Sequence, residues 1–337
     1  MESSRARRGR RAHPSRRRPL LYTALAAVAV LGATAGGTVY VKAQAHSGTG
    51  AVSSSSATPS ASGSGSGSGS GKVSVETVAA PEVDHDALLA SAMKSVTVPG
   101  DAAVSAAVLD LDSGDDATYG ESAFDTASIV KVDILATLLL QAQDADRYLT
   151  AAEKTYATAM IENSDNDSAS ALWRIIGKAE GLDAANERFG LTDTAGGDDM
   201  LWGLTQTTAA DQLILLRQVF GDDSELSEAS RTYLQGLMGQ IAVDQRWGVS
   251  AAADGSSWAL KNGWLARSTT GLWDINSIGR VTVDGHDCLV AVLSNGNATQ
   301  TAGISLVEQV ARAAVSTLRD GGASASASAS ASPSAAD

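Results

Sequence analysis

Ala127-Ser128-Ile129-Val130-Lys131-Val132-Asp133-Ile134-Leu135-Ala136-Thr137-Leu138-Leu139-Leu140-Gln141 is the stretch on which the reading of this chain turns. Its apolar residues leave almost no polar face, so a helix formed here is buried in the middle of its domain. Ser128 and Lys131 stand three residues apart at its start, which places both side chains on one face. Taken alone, Ser-x-x-Lys is equally an ordinary helix start with a snorkelling lysine.

A serine hydroxyl is a weak nucleophile near pH 7 and needs a base. Histidine is a poor candidate. His13 and His46 precede the folded region, His85 opens the first helix and His286 falls in a hairpin turn. Lys131 remains. Lowering its pKa by roughly three units takes about 4 kcal/mol, which burial and a second nearby cation can supply. At the first turn of a helix, free N–H groups and the dipole also favour a developing oxyanion.

Two further triplets follow. Ser164-Asp165-Asn166 comes after a helix expected over 151–161, whose Thr150-Ala151-Ala152-Glu153 start is a capping pattern. By itself the triplet is a polar turn between helices. Lys261-Asn262-Gly263 lies in an apolar strand between Trp258-Ala259-Leu260 and Trp264-Leu265, and a lysine isolated there should face a cleft.

In this order the three triplets resemble the S-x-x-K, S-D-N and K-T-G elements of class A β-lactamases and penicillin-binding proteins. The resemblance covers residues 81–320. It implies Ser128 as nucleophile, Lys131 as base and Ser164 as proton relay. It further implies that Asn166 holds the substrate amide, that Lys261 binds a substrate carboxylate and depresses the pKa of Lys131 and Ser164, and that Gly263 admits the substrate to the strand backbone. The oxyanion hole would combine the N–H groups of Ser128 and Trp264, the latter a large residue where the family has a small one. Asn262 replaces the usual hydroxyl donor to the carboxylate; Arg267 or Arg280 would add a second positive group.

Two departures bear on turnover. The stretch Leu191–Thr205 has no glutamate and no E-x-x-L-N, which carries the family's deacylating base; Asp198 and Asp199 are the possible stand-ins. Ser128 and Ser164 are only 36 residues apart. The short connection through 141–147 should leave that side of the cleft open.

Eight arginines and one acid lie within residues 1–19, so the remainder carries about −20 of the net charge of −13. Residues 20–41 are apolar and long enough for a bilayer, and read as a signal anchor or a signal peptide. The domain is therefore expected outside the cytoplasmic membrane, anchored, or secreted if the leader is cut after Ala45. Residues 42–80 are a Ser/Gly-rich linker and 321–337 an Ala/Ser tail, both expected to be disordered. An acidic exported domain without a basic patch is not a nucleic-acid binder. The lone Cys288 reads as a small buried hydrophobe. No metal or cofactor is expected; the partner is a β-lactam or peptidoglycan-like small molecule, and the protein a monomer.

Strands at both ends of the domain with helices between them indicate an α+β class. The resemblance adds an antiparallel sheet with flanking terminal helices and a mostly helical lobe. Three functions stay open: slow β-lactam hydrolysis, a D,D-peptidase or esterase acting on cell-wall peptides, and a non-catalytic peptidoglycan- or protein-binding module.

Overall fold

The computed structural model describes residues 83–255 and 257–329. The Arg-rich leader, the apolar stretch 20–41 and the linker 42–80 lie outside the described residues, as does 330–337 of the tail. Among the described residues no helix is long and apolar enough to cross a membrane.

Five antiparallel strands form the main sheet: β1 (Ala103–Asp110), β2 (Asp116–Tyr119), β5 (Trp258–Ala266), β6 (Trp273–Val283) and β7 (His286–Asn297), in the order β2-β1-β7-β6-β5. The first strand thus pairs with the last, from Ala103 opposite Asn295 to Asp110 opposite Cys288. Two layers cover the sheet. Cys288, Val290 and Val292 of β7 pack with α1 (His85–Met93) and α8 (Gln300–Ala329), whereas Leu289, Ala291 and Leu293 join the core of the helical lobe. Burial on both faces is why this strand is an unbroken apolar run rather than an alternating one. Cys288 is fully buried, and burial pushes its thiol up to about 11, as an inert core cysteine requires.

The lobe comprises α2 (Val130–Asp144), α3 (Ala151–Glu162), α4 (Asn166–Ile176), α5 (Lys178–Phe189), α6 (Ala209–Phe220) and α7 (Glu228–Met238). Nearly all of α2 is buried, as its all-round apolar sequence demands. The expected cap of α3 is a full capping box, with Thr150 and Glu153 bonded reciprocally.

Three elements differ from the sequence reading. The strand expected to run to Phe124 breaks at Gly120, whose φ of +78° turns the chain; β3 (Phe124–Asp125) instead pairs with β4 (Gln206–Thr207) in a separate two-stranded sheet. Helix α7 was not expected, although Ser227 caps it and Ser230, Leu234, Leu237 and Met238 repeat at helical spacing. Helix α8 continues past Leu318 into the Ala/Ser repeat as far as Ala329, where alanine favours continuation.

Candidate active site

Ser128 sits in a 3₁₀ turn, Ala127–Ile129, that runs directly into α2. Ala127 has φ +48°, a conformation that costs a non-glycine residue of order 1 kcal/mol and recurs at functional sites. The turn is held from three directions. Asn276 of β6 is fully buried and donates from Nδ2 to the carbonyls of Asp125 (2.9 Å) and Thr126 (3.0 Å). The Thr126 N–H donates to the Thr205 carbonyl at 2.9 Å. Arg267, just beyond β5, pairs with both Asp125 and Asp274, two carboxylates that are almost wholly buried.

From the other side, β5 presses its backbone against the turn. A Cβ on Gly263 would lie 2.7 Å from Thr126 O and 2.8 Å from Ser128 N. The glycine therefore admits the Ser128 turn, a close approach that the sequence reading did not assign to it. β5 is also the sheet's edge strand, so its outer side carries backbone groups without a strand partner, next to Ser128.

Lys131 reaches the Ser128 hydroxyl, as its spacing predicts, and the second triplet besides. Its Nζ is 2.9 Å from Ser128 Oγ, 2.7 Å from the Ser164 carbonyl, 3.0 Å from Ser164 Oγ and 2.8 Å from Asn166 Oδ1. The Ser164 carbonyl and Asn166 Oδ1 only accept, so a neutral amine spends its two N–H groups on them and keeps a lone pair for the Ser128 hydroxyl. Burial pulls the Lys131 pKa down to about 7, against the attraction of Asp165. That is the value a general base at neutral pH needs.

Ser164 adopts φ +56° at the start of α4, which aims its hydroxyl between two lysines. Lys261 Nζ donates to Ser164 Oγ at 3.1 Å and to the Asn262 carbonyl at 3.0 Å. Lys261 is fully buried; burial first, then the charge of Lys131, hold its pKa well below that of a free lysine. Burial is the largest cause of the lowered Lys131 pKa, and the repulsion between Lys131 and Lys261 acts on the pair. Asp165 braces the turn by capping α4 through the Ser168 N–H at 2.7 Å. Asn166 is exposed, and its Nδ2 has no protein partner among the described residues.

Several expected binding groups are committed elsewhere. Asn262 is buried behind the strand and donates from Nδ2 to the carbonyls of Gln245 (2.7 Å) and Trp247 (3.0 Å), leaving no N–H for a carboxylate. Arg267 is neutralised by its two aspartates, and Arg280 pairs with Asp287 and stacks on Phe220. The Trp264 side chain packs against Trp247 with ring centroids 6.0 Å apart, on the sheet face that carries α8. Asp199 is bound to Lys178 at 2.6 Å and is exposed, as is Asp198.

The structure also brings in residues that the sequence did not mark. Arg246 lies on the segment that Asn262 holds, exposed, stacked on Trp258 and donating from Nε to the Ile241 carbonyl at 3.2 Å. Trp202, from the loop between α5 and α6, places its ring 4.9 Å from Lys131 Nζ.

Residues 153–318 match the Beta-lactamase enzyme family, a span that includes the second and third triplets and begins after Ser128. The extended-spectrum β-lactamase TLA-1 superposes with a TM-score of 0.60 at 14% identity, covering 69% of this chain and 98% of that one. PBP-A gives 0.60 at 19% identity over 69% and 96%, and a β-lactamase from Xanthomonas campestris pv. campestris 0.56 at 20% over 69% and 97%. Among curated proteins, none matches the chain in sequence. The fold is that of β-lactamases and PBP-A, and with the family match over 153–318 and the Ser128–Lys131 contact it supports a serine hydrolase of that type.

Proposed function

We propose that this protein is an exported acyl-transfer enzyme that opens β-lactams, or related amides and esters, through an ester on Ser128 and releases the product slowly. The observation that carries this reading is the 2.9 Å contact between Ser128 Oγ and a lysine amine poised near pH 7.

Neutral Lys131 takes the Ser128 proton as Oγ bonds to the carbonyl carbon. The developing oxyanion accepts from the Ser128 N–H, with the Trp264 N–H as second donor. On collapse the C–N bond breaks, and the proton passes from Lys131 through Ser164 Oγ, 3.0 Å away, to the leaving nitrogen. The 3.1 Å bond from Lys261 keeps the Ser164 hydroxyl aimed along this route. Asn166 Nδ2 is open to a substrate amide, and Lys261 is the group proposed to meet a substrate carboxylate.

Slow release follows from the loop over the site. Asp199 is bound to Lys178, Asp198 is exposed, and no glutamate is present between Leu191 and Thr205. An acyl-enzyme complex with penicillin G is known for a PBP-A point mutant of similar fold. A D,D-peptidase or esterase acting on cell-wall peptides is the second reading. It is favoured by the brief Ala145–Thr150 connection between α2 and α3, which leaves room for a longer substrate.

Intact-mass measurement after incubation with a penicillin and a cephalosporin tests the proposal. One adduct per chain, absent from Ser128→Ala, is expected. A non-catalytic binding module would bind ligand without gaining mass. Export rests on the Arg-rich leader and apolar stretch 20–41, and is tested by fractionation.

A further inference from the structure

Every polar direction around Lys131 Nζ is taken by Ser128, Ser164 and Asn166. The indole of Trp202 covers the amine from the loop, 4.9 Å from Nζ to the ring centroid. This ring is fixed in place. Its Nε1 donates to Ser170 Oγ on α4 at 3.2 Å. The 3₁₀ turn that begins with Trp202 closes through Leu204 N to Leu201 O (2.8 Å) and Thr205 N to Trp202 O (3.2 Å). The next residue, Gly203, faces Ala127: a Cβ built on it would lie 3.8 Å from Ala127 Cα. Through the bond from Thr126 N to Thr205 O, the loop is tied to the nucleophile's own turn.

Hydrolysis of an ester on Ser128 needs a water within hydrogen-bond reach of a base, and space for that water. The base is Lys131. A water there would give its proton to Nζ as its oxygen bonds to the ester carbon; the C–Oγ bond would then break and Oγ would take the proton back. An indole can only donate, and this one's N–H is already used, so it neither activates nor holds such a water.

We propose that Trp202 sets the lifetime of the acyl-enzyme by excluding the hydrolytic water from Lys131. It is a positioning residue, and its role rests on the reading that Ser128 becomes acylated. Removing the ring speeds release, a gain that damage to the fold does not produce. An aromatic replacement keeps the shield and loses only the latch to Ser170.

The test is a mass-spectrometric time course with penicillin G on the full chain and on Trp202→Ala, Trp202→Phe and Ser170→Ala. It reads the ratio of adduct decay rate to acylation rate. That ratio rises about tenfold or more in Trp202→Ala and stays within about threefold in Trp202→Phe and Ser170→Ala, both of which keep a ring over the amine. Should Trp202→Ala not fold, Trp202→Leu decides, with a rise above about threefold expected. An unchanged ratio in the deciding variant overturns the assignment to Trp202 alone. A wild-type chain that forms no adduct overturns the acylation reading, and this proposal with it.

Discussion

Lys261 Nζ donates to Ser164 Oγ across 3.1 Å, joining the edge strand to the turn that opens α4. With Lys131 bonded to the same hydroxyl at 3.0 Å, a neutral side chain stands between two buried amines. Two adjacent cations in a buried site are costly, so the arrangement favours charge on one lysine at a time. This is the electrostatic condition for a neutral base.

The nucleophile pair should respond unequally to truncation. Ser128→Ala abolishes any adduct with a β-lactam or fluorophosphonate, and Lys131→Ala slows acylation by about 10² or more with the protein still folded. Burst kinetics measure both. Wild-type acylation in Lys131→Ala would leave the turn and oxyanion donors as sufficient by themselves.

Because burial brings Lys131 to about 7, its active neutral form gains population as pH rises through that value. Acylation should therefore fall about tenfold per pH unit below 7 and level off above it. A rate that is flat between pH 5 and 9 would separate Lys131 from the proton transfer.

Gly263→Ala should push the Ala127–Ile129 turn away, since its Cβ would meet Thr126 O and Ser128 N below 3 Å. We expect acylation to drop by about 10² or more, with a fall in melting temperature as well, since Gly263, Thr126 and Ile129 are all buried. Unimpaired acylation would show that the strand yields instead of the turn.

Asp133 faces away from the site on α2 and is buried against Asn186, whose Nδ2 donates to it at 3.1 Å. Burial pushes its pKa up to about 7, with Asp183 and Asp211 adding to the rise. A carboxyl whose folded pKa lies above its unfolded value stabilises the fold fully below about pH 4 and loses that contribution as pH climbs through 7. Asp133→Asn should thus be more stable than wild type at pH 8, by on the order of 1–4 kcal/mol, with the advantage shrinking toward pH 5. Denaturant melts at the two pH values check the sign.

Where one residue's environment is set by its near neighbours, the sequence was enough. The Ser128–Lys131 pair, the Thr150 capping box and the buried run of α2 are local patterns, and the structure keeps them. Asn262 shows the limit: its amide serves the carbonyls of Gln245 and Trp247, and nothing in the triplet says that this segment folds behind the strand. Arg267 likewise reads as a free cation until Asp125, 142 positions earlier, is brought beside it. Trp202 comes from a loop without periodicity, so only the folded chain places its ring over Lys131.

The leader has its own check. Retention predicts full-length protein in the membrane fraction, with the domain released by protease cutting in the Ser/Gly linker. Cleavage after Ala45 predicts a soluble chain beginning at His46.

The central claim, an ester on Ser128 that forms readily and leaves slowly, is tested most directly by the steady state with a penicillin. The account predicts a burst of one equivalent followed by turnover far below the ordinary enzyme range of about 1 to 10³ s⁻¹. Sustained kcat within that range would contradict it, and so would a burst that survives Ser128→Ala.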